Sequence, residues 1–154
     1  DFYDDLLNPL WRELELSPLI RTPHRVDGQP FTGLGLMLLR TDIAKLAQAF
    51  TTGNSVFDEF LDKDMFDQAM QRASNSKRLT AGNENLTYSN GFWAWNAAPA
   101  LKCEKSKWIP FMSGYGGISV VFLPEGDAYY YFSDGGVFRY AEVIEHLHTH
   151  RPIC

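Results

Sequence analysis

Three places in this sequence put chemically capable groups at a useful spacing. Ser74 and Lys77 stand three residues apart. On a helix that spacing lays a lysine amine beside a serine hydroxyl, where it can activate the oxygen as a nucleophile. The flanking segment, residues 74–84, is polar on all sides and offers no apolar face to bury the serine. Two fixed positions in common residue types also match by chance. Ser74 and Lys77 are therefore the weaker candidates, and the expectation is that no catalytic residue lies in this chain. Glu142, His146 and His150 fall at i, i+4 and i+8 on a C-terminal helical pattern. Such a face suits a metal such as zinc. It reads more simply as the solvated side of a helix whose histidines complement the C-terminal end of the macrodipole, so neither a metal nor a cofactor is expected. The third place is Gly114-Tyr115-Gly116-Gly117. Its three glycines permit unusual dihedrals and close backbone approach. This is where a ligand is expected to meet the main chain, with Tyr115 as the side chain facing it.

The elements that position these groups are read from pattern. Residues 118–123 form a β-branched, apolar run and residues 128–132 an aromatic one, joined by Pro124-Glu125-Gly126-Asp127. That is an antiparallel hairpin with turn chemistry between its strands. Both runs are nearly continuously apolar, which predicts strands covered on two faces. Residues 87–96 read as one further strand with alternating aromatics, and residues 97–108 as irregular. Gly135-Gly136 leads into a terminal helix from Val137 to about His150, with Tyr140, Val143, Ile144 and Leu147 as its apolar stripe.

The first part of the chain reads as helical. Residues 1–16 carry Phe2, Leu6, Leu10 and Leu14 at helical spacing, interrupted at Pro9, where Asn8 is placed to cap a new start. Residues 17–32 are a long loop. Thr41 caps the next helix, with Asp42 in its first turn and Ile43, Leu46, Ala47 and Phe50 on its buried face. Gly53 ends it. Another helical region starts at Asn54 or Ser55 and restarts near Asp64, and residues 74–84 form a loop. The order is helices, then three strands, then a helix. That predicts an α+β fold, an antiparallel sheet with helices packed on it. It is a single domain or part-domain over 1–154, with a helical part at 1–80 and the strands and terminal helix at 87–154.

The 154 residues suffice for one domain with a real core. The net charge of −5 and the lack of a basic run argue against nucleic acid as a partner. Arg and Asp interrupt every long apolar run, so no membrane span is expected. The chain opens without Met and inside a helical pattern, which predicts a piece of a longer protein. Cys103 and Cys154 are either two buried thiols or a disulfide tying the last residue to the loop before the central strand; spacing alone does not choose. Asn85-Leu86-Thr87 matches a glycosylation sequon. Tyr88, Phe92, Trp93, Trp95, Tyr129, Tyr130, Tyr131 and Phe132 are mostly core filling.

Taken together, these residues resemble the serine hydrolase family of class C β-lactamases, D-alanyl-D-alanine carboxypeptidases and 6-aminohexanoate-dimer hydrolases. Residues 30–36 followed by Arg40-Thr41-Asp42-Ile43-Ala44-Lys45-Leu46 look like the family's Gly-rich segment and the helix after it. Gly114-Tyr115-Gly116-Gly117-Ile118 with Val120-Val121-Phe122-Leu123-Pro124 looks like its third motif and strand. Ser74-x-x-Lys77 and Tyr88-Ser89-Asn90 superficially match its other two motifs, but they stand after the Asp42-Ile43-Ala44-Lys45 helix, where the family does not keep its nucleophile. The resemblance implies the C-terminal portion of a β-lactamase/transpeptidase-like fold, catalytically incomplete because the true Ser-x-x-Lys and Tyr-x-Asn elements lie upstream. It implies an exported bacterial protein, secreted or periplasmic, acting on a small-molecule ester or amide. Its partner would be the missing N-terminal half or another copy of the chain. Tyr115, Gly116, Gly117 and Ile118 would form the oxyanion and substrate wall. No Lys or His opens the motif here, which points away from β-lactam and peptidoglycan substrates. The alternative reading is a non-enzymatic ligand-binding or scaffold domain built on the same sheet.

Overall fold

The computed structural model describes residues 5, 8–17, 25–26, 29–30, 38–52, 60–72, 76, 78–133 and 135–154. The chain divides into two compact units, Asp1–Phe60 and Leu61–Cys154.

In the first unit, α1 spans Asn8–Glu13 and α2 spans Arg40–Thr52. The break at Pro9 is resolved by starting a helix there: Asn8 is the first helical residue, and Pro9 sits in the first turn, where its missing N–H has no bond to lose. The expected loop over residues 17–32 contains two short paired strands, β1 (Arg25–Val26) and β2 (Gln29–Pro30). Helix α2 begins at Arg40, so the expected cap Thr41 is already inside the helix and Leu39 stands at the cap, while Asp42 lies in the first turn as expected. The Leu39 amide donates to Asp42 Oδ2 at 3.2 Å, the return half of a capping box. The other oxygen, Oδ1, accepts from the Ser17 amide at 3.0 Å, 25 residues away in sequence. Asp42 is only 2% exposed, so it both caps the helix and ties it to the end of the α1 segment. Ile43, Ala47 and Ala49 are buried along α2. The Gly-rich residues 31–37 and the helical region starting at Asn54 or Ser55 lie outside the described residues.

The second unit is mixed α+β. Its sheet has six antiparallel strands in the order β3-β4-β5-β6-β7-β8, a simple meander. They are β3 Leu79–Ala81, β4 Asn83–Ser89, β5 Phe92–Asn96, β6 Trp108–Gly114, β7 Ile118–Phe122 and β8 Ala128–Tyr131. Helix α3 is Lys63–Ala69, α4 is Ala98–Leu101 and α5 is Tyr140–His150.

Three strands were expected and this sheet has six among the described residues, for identifiable reasons. The single strand read over residues 87–96 is a hairpin. Asn90 and Gly91 both take positive φ, +46° and +91°, the pairing that lets a two-residue turn follow the twist of its strands. The Asn-Gly signal was hidden inside an unbroken aromatic run. The polar residues 74–84, read as a loop, supply β3 and the start of β4; β3 is an edge strand with exposed Leu79 and Thr80, so it lacks the apolar alternation that marks a strand. Residues 97–108, read as irregular, contain α4 and open β6. The hairpin β7–β8 lies where expected, and Ser119, Val120, Val121 and Phe122 are all buried, so β7 is covered on both faces. Strand β8, last in the sheet order, is only half-buried along its length, not covered on two faces as expected. Helix α5 starts at Tyr140 rather than Val137.

Register assigns the faces. Trp93, Phe111, Val121 and Tyr129 are successive cross-strand partners, so they share one side. Helix α5 packs there: Ile144 joins Ile109, Phe111 and Val121 in the buried cluster, with Trp93, Trp95, Tyr129, Tyr140 and Leu147 against it. The opposite side carries Thr87, Ala94 and Pro110, which are also successive partners. That side meets α3 and the residues after it. Phe66 meets Phe92 edge-on at 6.0 Å, and the Thr87 hydroxyl donates to Gln71 Oε1 at 2.6 Å. Helix α3, assigned by sequence to the helical part, thus belongs with the sheet.

Cys103, just after α4, is bonded to Cys154, with Cα atoms 5.4 Å apart. Arg151, at the end of α5, pairs with Asp127 in the β7–β8 turn. The last residues are held by covalent, ionic and apolar ties, since Ile153 is buried in the α5 cluster.

Candidate functional site

The glycine-rich motif is a turn rather than a strand start. Gly114 ends β6 and pairs with Ile118, which opens β7. Tyr115, Gly116 and Gly117 form the three-residue connection, with φ of +85° at Gly116 and +82° at Gly117. Tyr115 is 97% exposed, and Ile118 is exposed too. Gly117 is constrained from behind. A Cβ there would lie 2.8 Å from Ser133 Cβ and 2.9 Å from both Gly136 C and Val137 N. The backbone of the segment before α5 therefore rests directly on the turn, which only glycine allows. Ser133 Oγ fixes that segment by accepting from the Gly135 amide at 3.2 Å and the Val137 amide at 3.0 Å.

Beside the turn, β6 outruns its neighbour. The β5–β6 ladder ends at the Trp93–Phe111 pair, whereas the β6–β7 ladder continues to Gly114. The end of β6 is thus laddered on one side only among the described residues. An extended edge of this kind can offer main-chain groups to a ligand.

Next to that edge, on the α5 side of the sheet, lies a cleft of about 390 Å³ lined by Leu86, Trp93, Phe111, Ser113, Phe138, Tyr140 and Ala141. Its rings are ordered. Phe111 and Tyr140 stack with centroids 4.3 Å apart at 21°, and Trp93 lies nearly parallel to Phe111 at 6.3 Å and 18°. Tyr88 leans on Trp93 at 4.9 Å. Below this row, register aligns Ser113 with Ser119 and Ser119 with Tyr131. The Ser119 hydroxyl is fully buried and has no hydrogen-bond partner among the described residues.

Two tyrosines beside the cleft titrate above their ordinary range. Burial is the main cause for Tyr129, followed by the negative charge of Glu142 and then by Tyr140. Burial and then Glu142 raise Tyr140. The Tyr129 hydroxyl donates to the Tyr140 carbonyl at 2.8 Å. Both phenols are therefore neutral at physiological pH and act as apolar rings with one donor, not as bases.

Of the other candidates among the described residues, Tyr88 reaches this region through its contact with Trp93, and the rest form no group beside it. Ser74 and Lys77 lie outside the described residues. Tyr88 is in β4 and Asn90 in the following turn, so that motif forms a hairpin rather than a loop beside a nucleophile. His146 and His150 face each other with ring centroids 5.0 Å apart, and both are exposed, as is Glu142. Among the described residues, no group of three His, Cys, Asp or Glu side chains could hold a metal ion. No described helix is long and apolar enough to cross a membrane. Sequence reasoning passed over Ser113, Phe138 and Ala141. It passed over Phe111 as well; Trp93 was visible as a large aromatic, but nothing local pairs it with Phe111 or with Phe138, which lies 27 residues beyond Phe111.

Comparison with protein-family models, with curated proteins and with solved structures finds no match to this chain.

Proposed function

We propose that this chain forms the substrate-facing wall of a β-lactamase-like serine hydrolase acting on an ester or amide, its sheet being the C-terminal portion of the β-lactamase/transpeptidase-like fold. One observation carries the reading: the β6–β7 turn presents Tyr115 to solvent on a glycine backbone braced from behind by Ser133, Gly136 and Val137. The half-laddered end of β6 beside it supplies the kind of main-chain edge that aligns an acyl group. In this reading Tyr115, Gly116, Gly117 and Ile118 line the substrate, the nucleophile comes from elements other than these, and the chain alone is catalytically incomplete. The Cys103–Cys154 bond supports an exported, oxidising setting.

A second reading has its own observation. Helix α5 covers one side of the sheet and the α3 region meets the other. The second unit is thus packed as a self-sufficient module, which fits a non-enzymatic ligand-binding or scaffold domain.

Amide NMR with ethyl butyrate and N-butylacetamide, together with intact mass after fluorophosphonate treatment, tests the first reading. The expected result is saturable shifts centred on residues 112–118, lost in Tyr115→Ala, with no covalent adduct. An adduct would overturn the incompleteness, and shifts that avoid residues 112–118 would overturn the wall.

A further inference from the structure

The cleft under α5 asks for a ligand of its own, different in kind from an aliphatic ester. We propose that it binds a small, uncharged, planar aromatic molecule carrying one hydrogen-bonding group. The claim stands without the hydrolase reading, because it concerns the sheet's α5 side and needs no nucleophile.

Size comes first. A volume of about 390 Å³ lies at the small end of ligand sites, matching a molecule of one or two fused rings. Shape comes next. Trp93, Phe111 and Tyr140 lie within about 20° of parallel from ring to ring, so three of the seven lining residues form one aligned row of rings. A flat ring continues such a row in offset stacking, whereas a puckered saturated ring meets it with poorer contact. Charge selects further. None of the seven lining residues is ionisable at neutral pH, since the only titratable one, Tyr140, is held above its ordinary range. An anion would find no cation in the lining and would lose its hydration without compensation. Ser113 and Tyr140 supply the side-chain hydroxyls of the lining, and that of Ser113 can donate or accept. Ser113 sits on the part of β6 that has passed the end of the β5 ladder.

The mouth is also suited to exchange. Phe138 is exposed and belongs to the residues before α5, not to the helix. It can swing at its own χ angles without disturbing the buried cluster, in which it has no place. Ala141 is the small residue that keeps the space open. Any large side chain at that position would fill it.

The probe is 2-naphthol, compared with decahydro-2-naphthol and 2-naphthoate, by amide and indole NMR on the full chain. The expected result is saturable shifts of the Trp93 indole N–H and of the Ser113 and Ala141 amides. Both the saturated and the anionic comparators should bind at least tenfold more weakly. Ala141→Phe should weaken 2-naphthol at least tenfold. Phe138→Ala, at an exposed position outside the core, should weaken it several-fold and serves if the first variant does not fold. Equal binding of the saturated alcohol, shifts confined to other surfaces, or unchanged binding in the variants would each overturn the proposal. These outcomes are separated from those for ethyl butyrate by the Trp93 indole and the Ala141 amide, which lie outside the residues 112–118 on which the ester reports, and by the Phe138 and Ala141 variants as against Tyr115→Ala.

Discussion

The two faces of the six-stranded sheet are built on opposite plans. The face toward α5 is filled by large rings and closed by Ile144, Tyr140 and Leu147. The face toward α3 also carries two rings, Phe92 and Phe122, edge-on at 6.2 Å, but beside them stand Thr87, Ala94 and Pro110, small or compact residues buried at the sheet surface. There the close fit is set by a polar pair. Gln71 is 2% exposed, receives the Thr87 hydroxyl and donates through Nε2 to the Phe92 carbonyl at 3.2 Å. Rings are rigid and stack in few ways, so a face made of them leaves gaps where no ring fits, and the cleft is such a gap. Small residues let backbones approach, and a hydrogen-bonded pair fixes their position. The first plan leaves room for a ligand, and the second fixes register.

If that contrast is right, the faces respond differently to truncation. Phe111 is the centre of the ring face, in contact with Trp93 and Tyr140. Phe111→Ala is expected to destabilise by about 3–5 kcal/mol, the usual range for emptying a buried aromatic site. Urea denaturation measures it. The variant should also lose 2-naphthol binding, because the stack is broken. A loss below about 1 kcal/mol would mean that the ring row is not the core of the second unit.

Thr87→Val probes the other plan. It keeps shape and removes the donor, leaving Gln71 Oε1 buried with one bond fewer. The expected loss is about 1–3 kcal/mol, the range for an orphaned buried acceptor. Binding of 2-naphthol should not change, since Thr87 lies on the opposite side of the sheet from the cleft. If Thr87→Val weakens the probe as strongly as Phe138→Ala does, the two faces are coupled and the contrast fails.

The same contrast explains what could be read in the sequence. The β7–β8 hairpin was legible because its turn chemistry and two apolar runs are local. The α5 stripe was legible because Tyr140, Ile144 and Leu147 recur at helical spacing. The Asn90-Gly91 turn carried a local signal that the aromatic run around it concealed. Asp42 was legible as a first-turn acid, but its bond to Ser17 joins residues 25 apart. Gly117 was marked by its neighbours as special, yet what forbids a side chain there is the backbone at residues 136–137. The cleft is the extreme case. Leu86, Ser113, Phe138 and Ala141 meet only because three hairpins and a helix stack in one order, and no window of sequence contains them together.

The smallest expected effect lies where the two features meet, at Tyr129. Its ring joins the apolar cluster, and its hydroxyl donates to the Tyr140 carbonyl at the start of α5. Tyr129→Phe keeps the ring and removes one partly buried hydrogen bond, so the expected loss at neutral pH is about 1 kcal/mol. The pH dependence is more telling. Burial first, then Glu142, hold the folded-state phenol above its ordinary range. Between the unfolded value, about 10, and the higher folded value, the unfolded chain has given up the proton that the folded chain retains. Stability from this group is therefore complete below about pH 10 and falls as pH rises beyond it. Denaturation midpoints measured from pH 8 to 11 should bend downward above about pH 10 in the parent. They should bend less in Tyr129→Phe, with a remainder from Tyr140, which is raised for the same reasons. Equal bends in parent and variant would show that Tyr129 is not held neutral by its surroundings, and that the ring face next to α5 is wetter than its packing implies.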